Sequence, residues 1–283
     1  MASNVKTGPR RLARTATVLA LSAAALVAAA PMAAADDGKP VRFILVGDST
    51  MASNSGYGDA LCGRIVRGDT CINLARGGRS SGSFRAEGRW DEVQGLLRGS
   101  AAYRATYVLI QFGHNDQPGK PGRSTDLATE FPVNMARYAQ EVKALGGVPV
   151  LVTPLTRRTF KQGILENNLT PWADVIRKVA AQERTPLLDL NADSVAAVQA
   201  MGQDEADTLA VVPRPPGYGA PAAASVPSAG GATAAIEPQG PAKTAFDRTH
   251  LGAKGAEYFA RMVEREAKAA LPELAGRFRP EGQ

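Results

Sequence analysis

The sequence predicts an α/β fold: a parallel, doubly wound sheet of five strands with helices on both faces. Two observations carry this. Short, near-continuous apolar runs, such as Val41-Arg42-Phe43-Ile44-Leu45-Val46 and Val108-Leu109-Ile110, read as strands buried on both faces rather than alternating ones. Between them lie segments of helical pattern, and strands alternating with helices imply parallel pairing through right-handed crossovers.

Taken in order, the first strand ends abruptly at Gly47-Asp48-Ser49, and residues 56–66 follow as a short helix. Residues 71–75 form a second short strand, which runs into the loop Arg76-Gly77-Gly78-Arg79-Ser80-Ser81-Gly82, too rich in glycine and serine to be regular. A helix over 87–98 leads to the third strand, 106–112, which stops at Gly113-His114-Asn115-Asp116. The helix over 130–145 is closed by Gly146-Gly147. A fourth strand spans 148–153, and a helix over 169–183 has Thr170 as its expected N-cap and Pro171 in its first turn. The fifth strand is 186–190, and another helix is expected over 193–201. From about 203 to 245 the chain becomes dense in Pro, Ala and Gly with few large apolar residues, so a long loop or insertion is expected there. A last amphipathic helix covers 252–270.

Residues 1–35 are read as a cleaved secretory signal: Lys6, Arg10, Arg11 and Arg14 precede an Ala/Leu/Val run, and Ala33-Ala34-Ala35 offers small residues for cleavage. That run is short for a membrane span, and no cysteine follows it to carry a lipid, so an exported protein (secreted or periplasmic) without stable membrane anchoring is expected. Residues 36–283 then make one domain, expected to act as a monomer. The 33 basic and 27 acidic residues of the whole chain overstate its charge, because four of the basic ones sit in the leader and leave 29 against 27. A nearly neutral domain gives no argument for nucleic acid. Cys62 and Cys71, both in the exported part, favour a disulfide in an oxidising compartment, the alternative being two buried thiols. Two cysteines and two scattered histidines do not make a closed zinc site.

Ser49 ends a buried strand, where open α/β sheets place their chemistry, and is the candidate nucleophile. Of the two histidines, His250 has a carboxylate three residues before it, in Asp247-Arg248-Thr249-His250. In a turn this spacing lets Asp247 accept from one imidazole nitrogen, leaving the other to take a serine proton. His114, beside Asn115, is the poorer base; the plainer alternative is that it packs and orders its loop. Gly78-Arg79-Ser80-Ser81-Gly82 fits the Gly-x-Ser-x-Gly elbow, but the preceding strand is short and the following segment polar, so Ser80 is set aside. Gly113 to Lys120 is one residue too long for a phosphate loop and lacks its Ser/Thr. No Gly-x-Gly-x-x-Gly follows a strand. Arg79 and the pair Arg157-Arg158 are candidates for contact with an acidic substrate, against the plainer reading of solvated surface.

Four segments together resemble the GDSL/SGNH hydrolases: Gly47-Asp48-Ser49-Thr50, Gly78 within Gly77-Gly78-Arg79-Ser80, Gly113-His114-Asn115-Asp116, and Asp247-x-x-His250. Finer wording, including Glu87-Gly88-Arg89-Trp90 and Thr153-Pro154-Leu155-Thr156-Arg157-Arg158, is similar to the rhamnogalacturonan acetylesterases within that group. The resemblance implies a flavodoxin-like α/β/α sandwich and removal of acetyl groups from pectic polysaccharide with no metal or organic cofactor. It implies an oxyanion site made by the backbone N–H groups of Ser49 and Gly78 and the side-chain amide of Asn115; His114, Arg79 and Arg157 are the candidate substrate-binding residues. Rival expectations are an esterase on acetylated xylan or another glycan, a secreted lipase or lysophospholipase, which would want an apolar acyl groove, and a non-catalytic carbohydrate-binding module. The segment before Asp247 is longer and richer in Pro and Ala than the family pattern.

Overall fold

The computed structural model describes residues 1–4, 8, 38–218 and 245–280. The expected signal segment and its cleavage site therefore lie almost wholly outside the described residues, as does most of the expected insertion, 219–244.

The strands are β1 (Val41–Gly47), β2 (Thr70–Asn73), β3 (Ala105–Gln111), β4 (Val148–Val152), β5 (Phe160–Lys161), β6 (Ile164–Leu165) and β7 (Leu187–Leu188). The helices are α1 (Gly58–Arg64), α2 (Ser83–Ala86), α3 (Arg89–Arg98), α4 (Glu130–Ala144), α5 (Thr170–Glu183), α6 (Leu190–Asp207) and α7 (Ala253–Ala270). Five strands form one parallel sheet in the order β2-β1-β3-β4-β7, the flavodoxin-like order. In that order the chain reverses its direction of winding between β1 and β3, and their carboxyl ends border the crevice where such sheets bind ligands.

Alternation along the strands divides the core in two. Phe43, Leu45, Tyr107, Leu109, Val150 and Val152 face Leu61 of α1 and Phe259, Val263 and Ala267 of α7. Ile44, Val46, Val108, Ile110 and Leu151 face the opposite layer, where Trp90, Val93 and Leu97 of α3 meet Phe131, Met135 and Tyr138 of α4 and Ile176 of α5. Every residue of β1 is buried, as its near-continuous apolar run requires.

Two local expectations are corrected, and two short elements are additional to those expected. Leu169, not Thr170, precedes α5; the Thr170 hydroxyl instead donates to the Asn167 carbonyl. Helix α6 begins at Leu190 and continues to Asp207, turning at Gly202, so the ordered chain extends past the expected insertion boundary at 203. The reason is packing: Ala206 and Leu209 are buried, and the Pro-rich composition starts only at Pro213. The hairpin of β5 and β6 was not expected, because two-residue strands are too short to show a period. Helix α2 was also missed, for the same reason of length.

Cys62 of α1 and Cys71 of β2 are joined in a disulfide, with Cα atoms 5.3 Å apart and nine residues of separation. A loop this short implies a stabilisation of about 2.5 kcal/mol from restricting the unfolded chain. The double variant Cys62→Ser, Cys71→Ser is expected to lose that amount in denaturant unfolding with an unchanged fold; an unchanged midpoint would refute it.

Candidate active site

Ser49 begins a turn that the sequence builds with unusual tightness. The Asp48 carbonyl accepts from Met51 and Ala52 N–H at 3.2 and 3.0 Å, and the Asp48 carboxylate accepts from Thr50 N–H and Thr50 Oγ1, both at 2.8 Å. A short side chain at Asp48 bonding two residues ahead is the usual way an Asx turn is fixed. Below it, Tyr57 donates to Gln111 Oε1 at 2.8 Å and Gln111 Nε2 donates to Thr50 Oγ1 at 2.6 Å, anchoring the turn to the end of β3. Gly56 is required by close approach: a Cβ there would lie 2.3 Å from the Thr50 backbone. The Ser49 side chain is left at the mouth of the crevice, 7% exposed.

The second contributor arrives from 201 residues further on. His250 Nε2 stands 2.9 Å from Ser49 Oγ, and His250 Nδ1 stands 2.8 Å from Asp247 Oδ2. Asp247 Oδ1 accepts from the N–H groups of Thr249 and His250, each at 2.8 Å. The partial burial of Asp247 works to raise its pKa, but the bonds from the His250 side chain and from these N–H groups outweigh it and hold the carboxyl well below the ordinary range.

The loop carrying these two residues is clamped from both sides. Arg158 is fully buried and donates to the carbonyls of His250 at 2.8 Å, Asp247 at 3.3 Å and Thr249 at 3.4 Å. Burial lowers its pKa to about 10, so it remains a cation at neutral pH, with the charges of Asp247 and Asp207 in support. Asp207, at the end of α6, receives Arg248 through Nε at 2.9 Å and Nη2 at 3.0 Å. Leu251 N–H donates to the Ser55 carbonyl at 2.9 Å, tying the histidine loop to the serine turn.

The remaining loops close against the same crevice. Arg76 N–H donates to the Gly47 carbonyl at 2.9 Å, and Asn115 Nδ2 donates to the Arg79 carbonyl at 3.0 Å. Asp116 accepts from Ser81 N–H at 3.0 Å, Ser81 Oγ at 2.6 Å and Thr125 Oγ1 at 2.9 Å. Burial raises its pKa to about 6 against the pull of those bonds. Gly78 has φ +79°, a left-handed conformation that glycine adopts without strain, and the Arg123 guanidinium lies beside it, Nη1 donating to its carbonyl at 3.4 Å.

The structure corrects two expectations about the substrate. Arg158 does not face a ligand, because backbone carbonyls take up its guanidinium. His114 is only 2% exposed, and both ring nitrogens are shut off from solvent. Its Nδ1 lies 3.3 Å from Asp48 Oδ2, and burial depresses its pKa although Asp48 opposes the effect. His114 therefore packs beneath the serine turn, which was the plainer of its two readings. Arg79 is engaged by Glu87 at 2.8 Å, whereas among the described residues the Arg157 side chain bonds Asn168, at 2.7 Å. Among the described residues no group of three or more His, Cys, Asp or Glu side chains is placed to hold a metal, and no helix is long and apolar enough to cross a membrane.

The clamping role of Arg158 and the hydrogen bonds that fix the serine turn do not show in the sequence. A signal for the first existed in its neighbour: of two adjacent arginines on one extended segment, opposite sides of the chain receive them, and one must point inward.

The chain is similar to known proteins in sequence and in fold. The model of the GDSL-like lipase/acylhydrolase family matches residues 45–258. Rhamnogalacturonan acetylesterase RhgT of Bacillus subtilis is 33% identical over 181 residues, covering 61% of this chain and 75% of that protein. The probable rhamnogalacturonan acetylesterase YesY of the same organism is 28% identical over 175 residues, covering 59% and 78%. Among solved structures, protein YXIM of Bacillus subtilis superposes with a TM-score of 0.59 at 25% identity, covering 85% of this chain and 59% of that one. Axe2, an acetylxylan esterase from Geobacillus stearothermophilus, shares the fold at 16% identity with a TM-score of 0.52, covering 81% and 94%. The chain belongs to the GDSL-like lipase/acylhydrolase family and is a serine esterase of it.

Proposed function

We propose that the protein is an exported carbohydrate acetylesterase that removes acetyl groups from rhamnogalacturonan through a Ser49–His250–Asp247 triad. The observation that carries the reading is the unbroken chain of contacts from Ser49 Oγ through both ring nitrogens of His250 to Asp247. With Nδ1–H donated to Asp247, Nε2 is free to accept the Ser49 proton as the hydroxyl attacks the acetyl carbonyl. Asp247, held ionised, stabilises the imidazolium that forms. His250 then returns the proton to the sugar oxygen as the alcohol leaves. A water molecule, deprotonated by the same nitrogen, attacks the acetyl-serine, and acetate departs as Ser49 recovers its proton.

In this reading the oxyanion is received by the N–H groups of Ser49 and Gly78 and by Asn115. The Asn115 amide has two hydrogens and donates to the Arg79 carbonyl, which leaves one for the oxyanion. Asn115→Ala is expected to lower kcat about 100- to 1,000-fold with a smaller change in KM. An unchanged kcat would remove Asn115 from the mechanism.

The relatives at 33% and 28% identity carry the substrate reading. Polar side chains, among them Asn115, Lys120 and Arg157, stand on the loops around the crevice, whereas a long-chain lipase needs an apolar groove. The deciding experiment compares acetate release from acetylated rhamnogalacturonan, acetylated xylan and a long-chain ester. Faster release from the first supports the proposal; preference for xylan or for the lipid ester refutes it.

A further inference from the structure

The end of the sheet opposite the crevice carries a second concavity. The five strands are parallel, so Ser49 lies at their carboxyl ends, and α1 and α7 run from the serine turn and the histidine loop toward the amino ends. There the C-terminal segment crosses beside α1. Val66 N–H donates to the Arg277 carbonyl at 3.1 Å and Arg279 N–H to the Arg64 carbonyl at 2.7 Å. Arg277 lies 3.7 Å from Asp69, whose carboxylate accepts from Val41 N–H at the start of β1. Between this segment and the second half of α7 is an open groove of about 500 Å³.

Five cations line the groove, Arg64, Arg261, Arg265, Lys268 and Arg279, against one carboxylate, Glu264. Residues 36–283 hold 29 basic and 27 acidic side chains, and setting aside the five and the one leaves 24 against 26. The groove is therefore basic on a domain that is otherwise slightly acidic. The nearby acids are already shared: Glu264 accepts from Arg64 and Lys268, and Glu257 from Arg64 at 2.8 Å and Arg261 at 2.9 Å. Among the described residues, the exposed Arg265 has no carboxylate within ion-pair distance. Arg279 bonds the Ile65 carbonyl through Nε at 3.0 Å, and the two terminal nitrogens of its guanidinium have no partner among the described residues.

An amphipathic helix ordinarily turns such a charged face to open water. Here the face is one wall of a concavity, and the opposite wall adds a further cation, Arg279, in place of a neutralising carboxylate. Phe278, buried, also lines the groove, with Lys268 Nζ 5.4 Å from its ring centre. A cleft of one sign with an apolar wall focuses its field and draws counter-ions. Arg261, Arg265 and Lys268 share one face of α7 over about 10 Å. Such a row of charges matches carboxylates repeated along a chain, and guanidinium forks suit their planar, two-oxygen geometry.

We propose that this groove binds a non-reacting, uronate-rich stretch of polysaccharide and so holds the esterase on its polymer while the crevice at the other end cleaves acetyl groups. This rests on the carbohydrate-esterase reading and adds to it a site at which no ester is broken. Tethering raises the effective concentration of acetyl groups at the crevice, which lowers KM for the polymer and leaves kcat alone.

The test compares the parent with an Arg265→Glu, Arg279→Gln double variant in calorimetric binding to polygalacturonate. The variant is expected to bind at least about fivefold more weakly, with the difference shrinking as salt is added. Its KM for acetylated rhamnogalacturonan should rise by a similar factor, while kcat and hydrolysis of p-nitrophenyl acetate stay at the parent's values. Unfolding midpoints are compared, and Arg265→Gln alone, on an exposed helix face, serves if the double variant is unstable; it is expected to give about a twofold loss. Parent-like affinity in a folded variant overturns the groove. Groove-dependent binding to vesicles of anionic phospholipid, with none to polygalacturonate, overturns it also. Acetate release from rhamnogalacturonan with unaltered polygalacturonate affinity in the variant overturns the groove alone. Weakened binding in the variant, without release from any acetylated glycan by the parent, supports the groove and overturns the esterase reading.

Discussion

Ser49→Ala protein is expected to release acetate from acetylated rhamnogalacturonan at least about 10,000-fold more slowly than the parent, with its fold and unfolding midpoint retained. The size follows from chemistry with no substitute. The hydroxyl is the attacking atom, and His250 Nε2 has no other proton to take at that position. Stability is spared because the turn does not depend on the side chain: the Ser49 carbonyl accepts from Ser55 Oγ at 2.8 Å, and Asp48 and Thr50 complete the remaining bonds. Steady-state acetate assays and a denaturant titration check both halves. Activity within tenfold of the parent would dismiss Ser49 as nucleophile. His250→Ala is expected to match it closely, because members of a triad act as a unit and their losses do not add.

The parts legible in the sequence share a physical feature: they are determined by local pattern or by rarity. The five strands were readable because parallel strands are apolar on both faces, and β1, β3 and β4 are buried accordingly. The pairing of Asp247 with His250 was readable because a spacing of three in a turn fixes proximity, and because only two histidines exist. What failed to show was, for the most part, set by partners distant in sequence. His114 follows an apolar run and lies against Asp48, 66 positions away, so its burial was decided by the packing of β3 against β1. The end of α6 was read too early because Gly202 and the polar stretch after it resemble a loop; the ion pair of Asp207 with Arg248, 41 residues on, holds that turn in place. Composition alone cannot separate such a segment from the Pro-rich one that follows.

Arg158 gives the most consequential case of a residue whose role depends on tertiary structure. A guanidinium buried without a carboxylate in contact is costly to desolvate, and among the described residues this one is bonded by backbone carbonyls alone. Its three acceptors belong to Asp247, Thr249 and His250, so the cation fixes the loop that presents acid and base to Ser49. Arg158→Met, similar in length and apolar, leaves those carbonyls without donors. It is expected to cost about 3 kcal/mol of stability, read from the denaturant midpoint. The loop would also shift, and a displacement of about 1 Å at the base lowers kcat on the order of 100-fold, with a smaller change in KM. Arg158→Lys separates charge from geometry: an ammonium keeps the positive charge but cannot span three carbonyls in one plane, so stability should recover in part while kcat stays low. Full recovery of kcat by lysine would show that charge alone suffices. Parent-like stability and kcat in the methionine variant would show that the loop is held by Asp207–Arg248 and the Leu251–Ser55 bond without it.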